Sequence, residues 1–273
     1  MAMSLFTKDN TDIVVAKQAV WGTPIADAAA LVQTGGAIGT YGSILDVEPT
    51  NFNPDAKQRF PNRSNSGNRW LTQAAYNFDY KGSVPSFTLK GDVKIAELPW
   101  LLYSVIQNVT EAILTPFTKI FTLPSGQPDF TASAGWFGTF WKRQPITSKH
   151  LKIKDVICKK LTLTCDPVNN QGRMQFAAEM VGRGLPTADT PASFWTANHT
   201  GVITTTEHAA QSYYYFHDLK EMTASASYLN PLSITLEFDN EATPIGVDTA
   251  RLSEFKTFGL GIDRWKVTLT VRL

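Results

Sequence analysis

The stretch Lys160-Leu-Thr-Leu-Thr-Cys165, with the turn Asp166-Pro-Val-Asn-Asn-Gln-Gly172 and the return Met174 to Met180, decides the fold class. Leu161, Leu163 and Cys165 alternate with Lys160, Thr162 and Thr164. Met174, Phe176, Ala178 and Met180 then alternate with Gln175 and Glu179. A period of two places apolar side chains on one face of an extended chain and polar ones on the other. Turn formers fill the space between the two runs, so they read as an antiparallel hairpin. Gly182 and Gly184 are expected to end the return strand.

The same alternation recurs on either side. Trp265, Val267, Leu269, Val271 and Leu273 share one parity, which reads as a half-buried strand, and Leu232, Ile234, Leu236 and Phe238 repeat it. Tyr76, Phe78 and Tyr80 precede a turn at Gly82, with Val84 to Leu89 as the returning partner; Pro85 suggests that this partner is an edge strand. Further strands are expected at Asp12–Ala19, Gly42–Phe52, Lys119–Leu123, Gly135–Arg143 and Ser212–Leu219. About ten strands predict an all-β fold, an antiparallel sandwich or barrel. One helix flanks it, at about Leu98–Gln107, where Leu98, Leu101, Leu102, Val105 and Ile106 have helical spacing. Pro99 fits a first turn, and Asp92 is a candidate cap.

Composition narrows the function. The 273 residues carry 25 Lys and Arg, 24 Asp and Glu and a net charge of +1; only 18% are charged, against roughly 25% in ordinary domains. A chain this apolar is not disordered, and one this neutral is not a dedicated nucleic-acid binder. So little charge on a chain of this size suggests that copies of it cover part of its surface. Cys158 and Cys165 lie an odd number of residues apart in one expected strand, hence on opposite faces, and are read as reduced. Met1 to Asp9 lacks the basic and apolar runs of a signal peptide. The apolar run Leu98–Ile106 is far shorter than the roughly 20 residues of a membrane span. Asn62, Asn108 and Asn198 start Asn-x-Ser/Thr triplets that chance explains in a chain rich in Thr.

Catalytic patterns are sought and not found. His150, His199, His208 and His217 have no metal-ligand spacing, and neither a nucleophile elbow nor a phosphate loop occurs. Gly35, Gly36 and Gly39 precede no βαβ unit. Glu48, Asp79, Glu179 and Glu237 lie on or beside strands, where carboxylates face solvent or a neighbouring chain. The bulky Trp136, Phe137, Phe140 and Trp141 occupy both parities of one strand, which suits burial on two sides rather than a sugar platform. No cofactor, metal or enzymatic activity is expected. The alternatives kept open are a carbohydrate-binding β-sandwich module, resting on the seven Trp, and a sandwich-type glycosidase.

One domain over residues 1–273 is expected, with long loops at about 48–70 and 184–211 and a third from Glu241 to Phe258. The first is the most unusual, with Pro49, Pro54 and Pro61 and no apolar periodicity.

The order of these features resembles the tail tube protein, or major tail protein, of long-tailed bacteriophages. The segment Ile13-Val-Val-Ala-Lys-Gln-Ala-Val-Trp-Gly-Thr-Pro24 is similar to the opening of that family. The acidic strand Leu45-Asp-Val-Glu48, a long polar loop, a hairpin, one helix and the central Lys154–Gly182 hairpin follow in the family's order. The resemblance implies a structural protein of the virion tail, assembled in the host bacterial cytoplasm without a membrane anchor. Its partners are itself and other phage tail proteins. Copies form rings, commonly hexameric, that stack into a hollow tube through which DNA leaves the head without specific binding. The added length leaves room for an insert within Asp189–Gln211. The loop at 48–70, with Arg59, Phe60, Arg63, Arg69 and Trp70, is the candidate contact between stacked rings. The lumen is expected to be neutral to acidic, since excess Lys and Arg hold phosphate.

Overall fold

The computed structural model describes residues 13–25, 42–45, 48–53, 84–93, 98–112, 118–143, 150–166, 172–189, 219–220, 228–229, 232–246, 248, 254–261 and 266–272. In chain order the strands are β1 (Ile13–Lys17), β2 (Gly42–Leu45), β3 (Glu48–Asn53), β4 (Ser86–Asp92), β5 (Val109–Ala112), β6 (Thr118–Phe121), β7 (Gly138–Arg143), β8 (His150–Cys165), β9 (Gln175–Asp189), β10 (Leu219–Lys220), β11 (Tyr228–Leu229), β12 (Ser233–Asp239), β13 (Thr243–Ile245), β14 (Thr257–Gly259) and β15 (Lys266–Arg272). The helix α1 (Leu98–Ile106) lies between β4 and β5. The chain is mainly antiparallel β with one flanking helix, as the alternation implies.

The central hairpin organises the rest. β8 pairs with β9 from His150 to Thr164. On its other rim the first half of β8 pairs with β7 and the second half with β12. The path β2-β1-β7-β8-β9-β4-β3 therefore branches at β8 into β12 and β15, making one nine-stranded sheet. The smaller pairs β5–β6, β10–β11 and β13–β14 stand apart from it.

Bulges divide the sheet where the branch occurs. The β8–β9 register shifts between Lys152 and Lys154, between Lys154 and Ile157, and between Cys158 and Lys160. Asp155 and Gly184 sit at these shifts with left-handed φ of 52° and 76°. An extra residue in one strand turns the following side chains to the other face. Ile153, Val156, Cys158, Leu161 and Leu163 consequently all face the larger core despite unequal steps between them. Cys165 continues the Leu161 and Leu163 parity, so the two cysteines share the inner face, contrary to the odd-spacing argument. Both are free thiols.

The larger core joins both halves of the sheet to the helix. Val15, Phe140 and Ile153 come from one half, and Phe87, Leu89, Leu161, Phe176 and Met180 from the other. Leu101, Val105 and Ile106 of α1 close over them. Burying each such side chain stabilises the fold by about 1.5–3 kcal/mol. The helix stops at Gln107, whose φ is 66° and whose Oε1 accepts the Trp136 N–H at 2.7 Å. Buried Asn240 ties the helix end to the bulge, donating to the Val105 carbonyl at 3.0 Å and the Cys158 carbonyl at 2.8 Å. A smaller core gathers Phe130, Phe137, Ile157, Phe255 and Phe258, with Trp21 against it.

Several sequence expectations need correction. Asp92 does not cap the helix; it ends β4 and lies 3.4 Å from Arg173. β4 is not an edge strand, because β9 and β3 flank it; Pro85 precedes it and accepts the Gly182 N–H. β9 continues through Gly182 and Gly184 to Asp189, since glycine admits the bulge and the close approach of Ile153. The expected strand at Gly42–Phe52 is two, β2 and β3. Glu48–Asn53 and residues 184–189 are therefore strand rather than loop. The third expected loop contains β13 and β14. Of the expected strand at Ser212–Leu219, only Leu219 is described; the Tyr76–Tyr80 strand and residues 190–211 lie outside the described residues.

Candidate functional site

The Trp-Gly-Thr-Pro segment and the central hairpin meet in one buried polar cluster. Asp155, fully buried in the β8 bulge, accepts the Gly22 N–H at 2.8 Å and the Gln18 amide at 2.8 Å on Oδ1. Gln18 Oε1 in turn accepts the Asp155 N–H at 2.7 Å and the Thr139 hydroxyl at 3.0 Å. Arg183 enters from β9. It donates to Asp155 Oδ2 at 3.2 Å and to the Phe255 carbonyl at 2.7 Å, pairs with Asp248, and lies 3.3 Å from Glu254 Oε2. Its guanidinium also sits 5.5 Å from the Trp21 ring centroid. Lys154 holds the Glu254 carboxylate at 2.6 and 2.8 Å. Burial raises the Asp155 carboxyl above its ordinary range, against the Gly22 and Gln18 donors and the Arg183 charge. The cluster thus clamps Gln18 and Gly22, together with Asp248, Glu254 and Phe255, to the hairpin. Asp155 and Arg183 are 0% and 3% exposed, and their contacts join separate parts of the chain, so the cluster holds the fold together.

Away from that clamp, β15, β12, β8, β9 and β4 present one continuous polar face, with β3 paired beyond β4. Reading partners across β15, β12, β8, β9 and β4 gives the row Lys266, Asp239, Lys160, Glu179 and Thr88. The next row is Thr268, Glu237, Thr162, Ala177, Lys90 and, on β3, Glu48. Basic and acidic positions are interleaved, with one more acid than base. Lys160 lies 3.0 Å from Glu237, which raises its ammonium above the ordinary range. Lys266 lies 3.1 Å from Glu241. Thr and paired charges on a broad sheet offer phosphate no concentrated positive potential.

The other face of β15 is uncovered. Val267 is 48% and Leu269 61% exposed, although their register partners Phe238 and Leu236 pack against the larger core. The terminal strand forms where the alternation predicts, but its apolar face is not half-buried as expected. Among the described residues β15 pairs with β12 alone. It has no Pro, Gly or bulge over its seven residues. A regular, apolar edge of this kind is what proteins normally blunt unless another chain pairs with it.

The remaining sequence-predicted positions divide clearly. Arg59, Phe60, Arg63, Arg69 and Trp70 lie outside the described residues, as do Asp79, His199, His208 and His217. Trp136, Phe137, Phe140 and Trp141 are buried inside the chain and offer no surface for a sugar ring. Glu179 is exposed and Glu237 is paired, each on the polar face. No metal-holding group of His, Cys, Asp and Glu occurs among the described residues, and no helix among them is long and apolar enough to cross a membrane. Sequence reading missed the Asp155–Arg183 cluster; a lone Asp and Arg inside two alternating strands were its available signal. Neither protein-family models nor curated proteins match this chain.

Proposed function

We propose that this chain is a self-assembling structural subunit of the tail-tube kind, forming stacked rings around a channel that conducts DNA. The observation that carries it is β15, a regular edge strand whose Val267 and Leu269 project uncovered beside the core. Val267 and Leu269 are about half exposed, so covering each contributes roughly half of the 1.5–3 kcal/mol of a full burial, on the order of 1 kcal/mol, which favours lasting association. The polar face of the same sheet supports the second half of the reading. Its interleaved charges and Thr side chains suit a channel wall past which a polyanion slides. On this reading the segment with Arg59, Phe60, Arg63, Arg69 and Trp70 makes the contact between successive rings. The site of action is the virion tail.

Sedimentation of the purified chain against concentration tests the carrying observation. Large assemblies are expected for the native sequence and their loss for Leu269→Lys, with an unchanged circular dichroism spectrum. Equal assembly by Leu269→Lys would remove β15 as the contact.

A further inference from the structure

Among the described residues two rims bound the six-stranded half of the sheet: β15 at one end and β3 at the other. Every step between them, through β12, β8, β9 and β4, is antiparallel. β15 therefore runs opposite to β3. A second copy placed alongside in the same orientation offers its β3 antiparallel to β15, so the ladder continues without reversing any strand. We propose that β15 receives β3 of a second copy, head to tail, and that charge excludes the alternative two-fold contact of β15 with itself. This identification rests on the self-assembly reading above and names the surfaces it uses.

Charge separates the two arrangements. β15 carries Lys266 and Arg272 and no acid, whereas β3 carries Glu48 and no base. Two β15 strands paired about Leu269 would set Lys266 of each copy opposite Arg272 of the other, on one face. Like charges directly opposite destabilise a strand pair. The antiparallel register that sets Arg272 opposite Glu48 instead aligns all of β3 with Val267–Arg272. Glu48 is the register partner of Lys90, which alternates with the buried Leu89 and Phe87, and Arg272 keeps the parity of Lys266 and Thr268, so the register brings the acidic position of β3 to the basic one of β15. Among the described residues β3 pairs with β4 alone, and Pro49 and the register shift between Thr50 and Asn53 blunt its other rim against indiscriminate pairing while leaving it open to a matched strand. A head-to-tail contact either closes into a ring or continues as a filament.

Cysteine cross-linking in the full chain tests the pairing. The proposed register puts Thr270 opposite Thr50. Thr270→Cys and Thr50→Cys variants are mixed, mildly oxidised and examined by mass spectrometry of the linked peptides. A disulfide joining one copy of each variant is expected, with none from either variant alone; Cys158 and Cys165 are buried and do not compete. Assembled particles without that link overturn the pairing alone, whereas a chain that stays monomeric overturns it together with the assembly reading. A linked dimer of Leu269→Cys with itself shows the two-fold contact and also overturns it. A charge exchange gives a second readout: Arg272→Glu raises the concentration needed for assembly roughly tenfold or more, and Glu48→Arg added to it restores assembly. Failure of that restoration counts against the pairing.

Discussion

Arg183→Met is the most informative single perturbation of the fold. The guanidinium is almost wholly buried and holds Asp155, Asp248, Glu254 and the Phe255 carbonyl. Methionine fills comparable space but leaves the buried Asp155 carboxylate without its cation. Breaking one side of a buried pair costs about 3–5 kcal/mol. In a domain of this size that lowers the melting temperature by on the order of 10 °C. The pH dependence has a definite sign. Burial already raises the Asp155 carboxyl, and removing Arg183 raises it further. The folded state then holds a proton that the unfolded chain releases near its ordinary pKa of about 3.8. Stability from that proton is present at low pH and is lost as pH rises through the raised value. The deficit of Arg183→Met is therefore smaller at pH 4 than at pH 7. Denaturant titrations of wild type, Arg183→Met, Asp155→Asn and the double variant measure it. Asparagine tolerates the left-handed φ at residue 155, so the double variant should recover part of the loss. A loss below about 1 kcal/mol at pH 7, or the same loss at both pH values, refutes the clamp.

Three further outcomes follow from the packing. Gly182→Ala places a Cβ 2.4 Å from Ile153 Cγ2 and 3.3 Å from Val156 Cγ2 and Pro85 Cγ, and should destabilise by about 1–3 kcal/mol in a denaturant titration. Asn240→Ala strands the Val105 and Cys158 carbonyls that its amide satisfies; a loss of about 1–3 kcal/mol and faster hydrogen exchange at the end of α1 are expected. Burial pushes the Cys158 and Cys165 thiols above their ordinary range, Cys158 the more strongly. A thiol reagent at pH 8 should therefore label neither in the native chain and both after unfolding.

The strands were legible where alternation is unbroken, as in β12, β15 and the Lys160–Met180 part of the hairpin. α1 was legible because Leu98, Leu101, Leu102, Val105 and Ile106 keep helical spacing between a proline and the left-handed Gln107. What alternation conceals is a bulge. The shifts around Asp155 and Gly184 change which face each later residue takes, and a period-two reading therefore misplaced Cys158 and ended β9 too early. The edge position of β15 was equally hidden, because an apolar stripe looks the same whether a helix, a sheet or another copy covers it. Burial of Trp136, Phe137, Phe140 and Trp141 was legible from their occupying both parities. The clamp joins residues more than a hundred positions apart, including Gln18 and Asp155, which no local pattern relates.

The central claim is that copies of this chain build a hollow tube. Negative-stain electron microscopy of the purified chain, concentrated at neutral pH, tests it most directly. Rings with a stain-filled centre, stacking into tubes of constant diameter, are the predicted result. A population that remains monomeric at high concentration, with neither rings nor tubes, contradicts it.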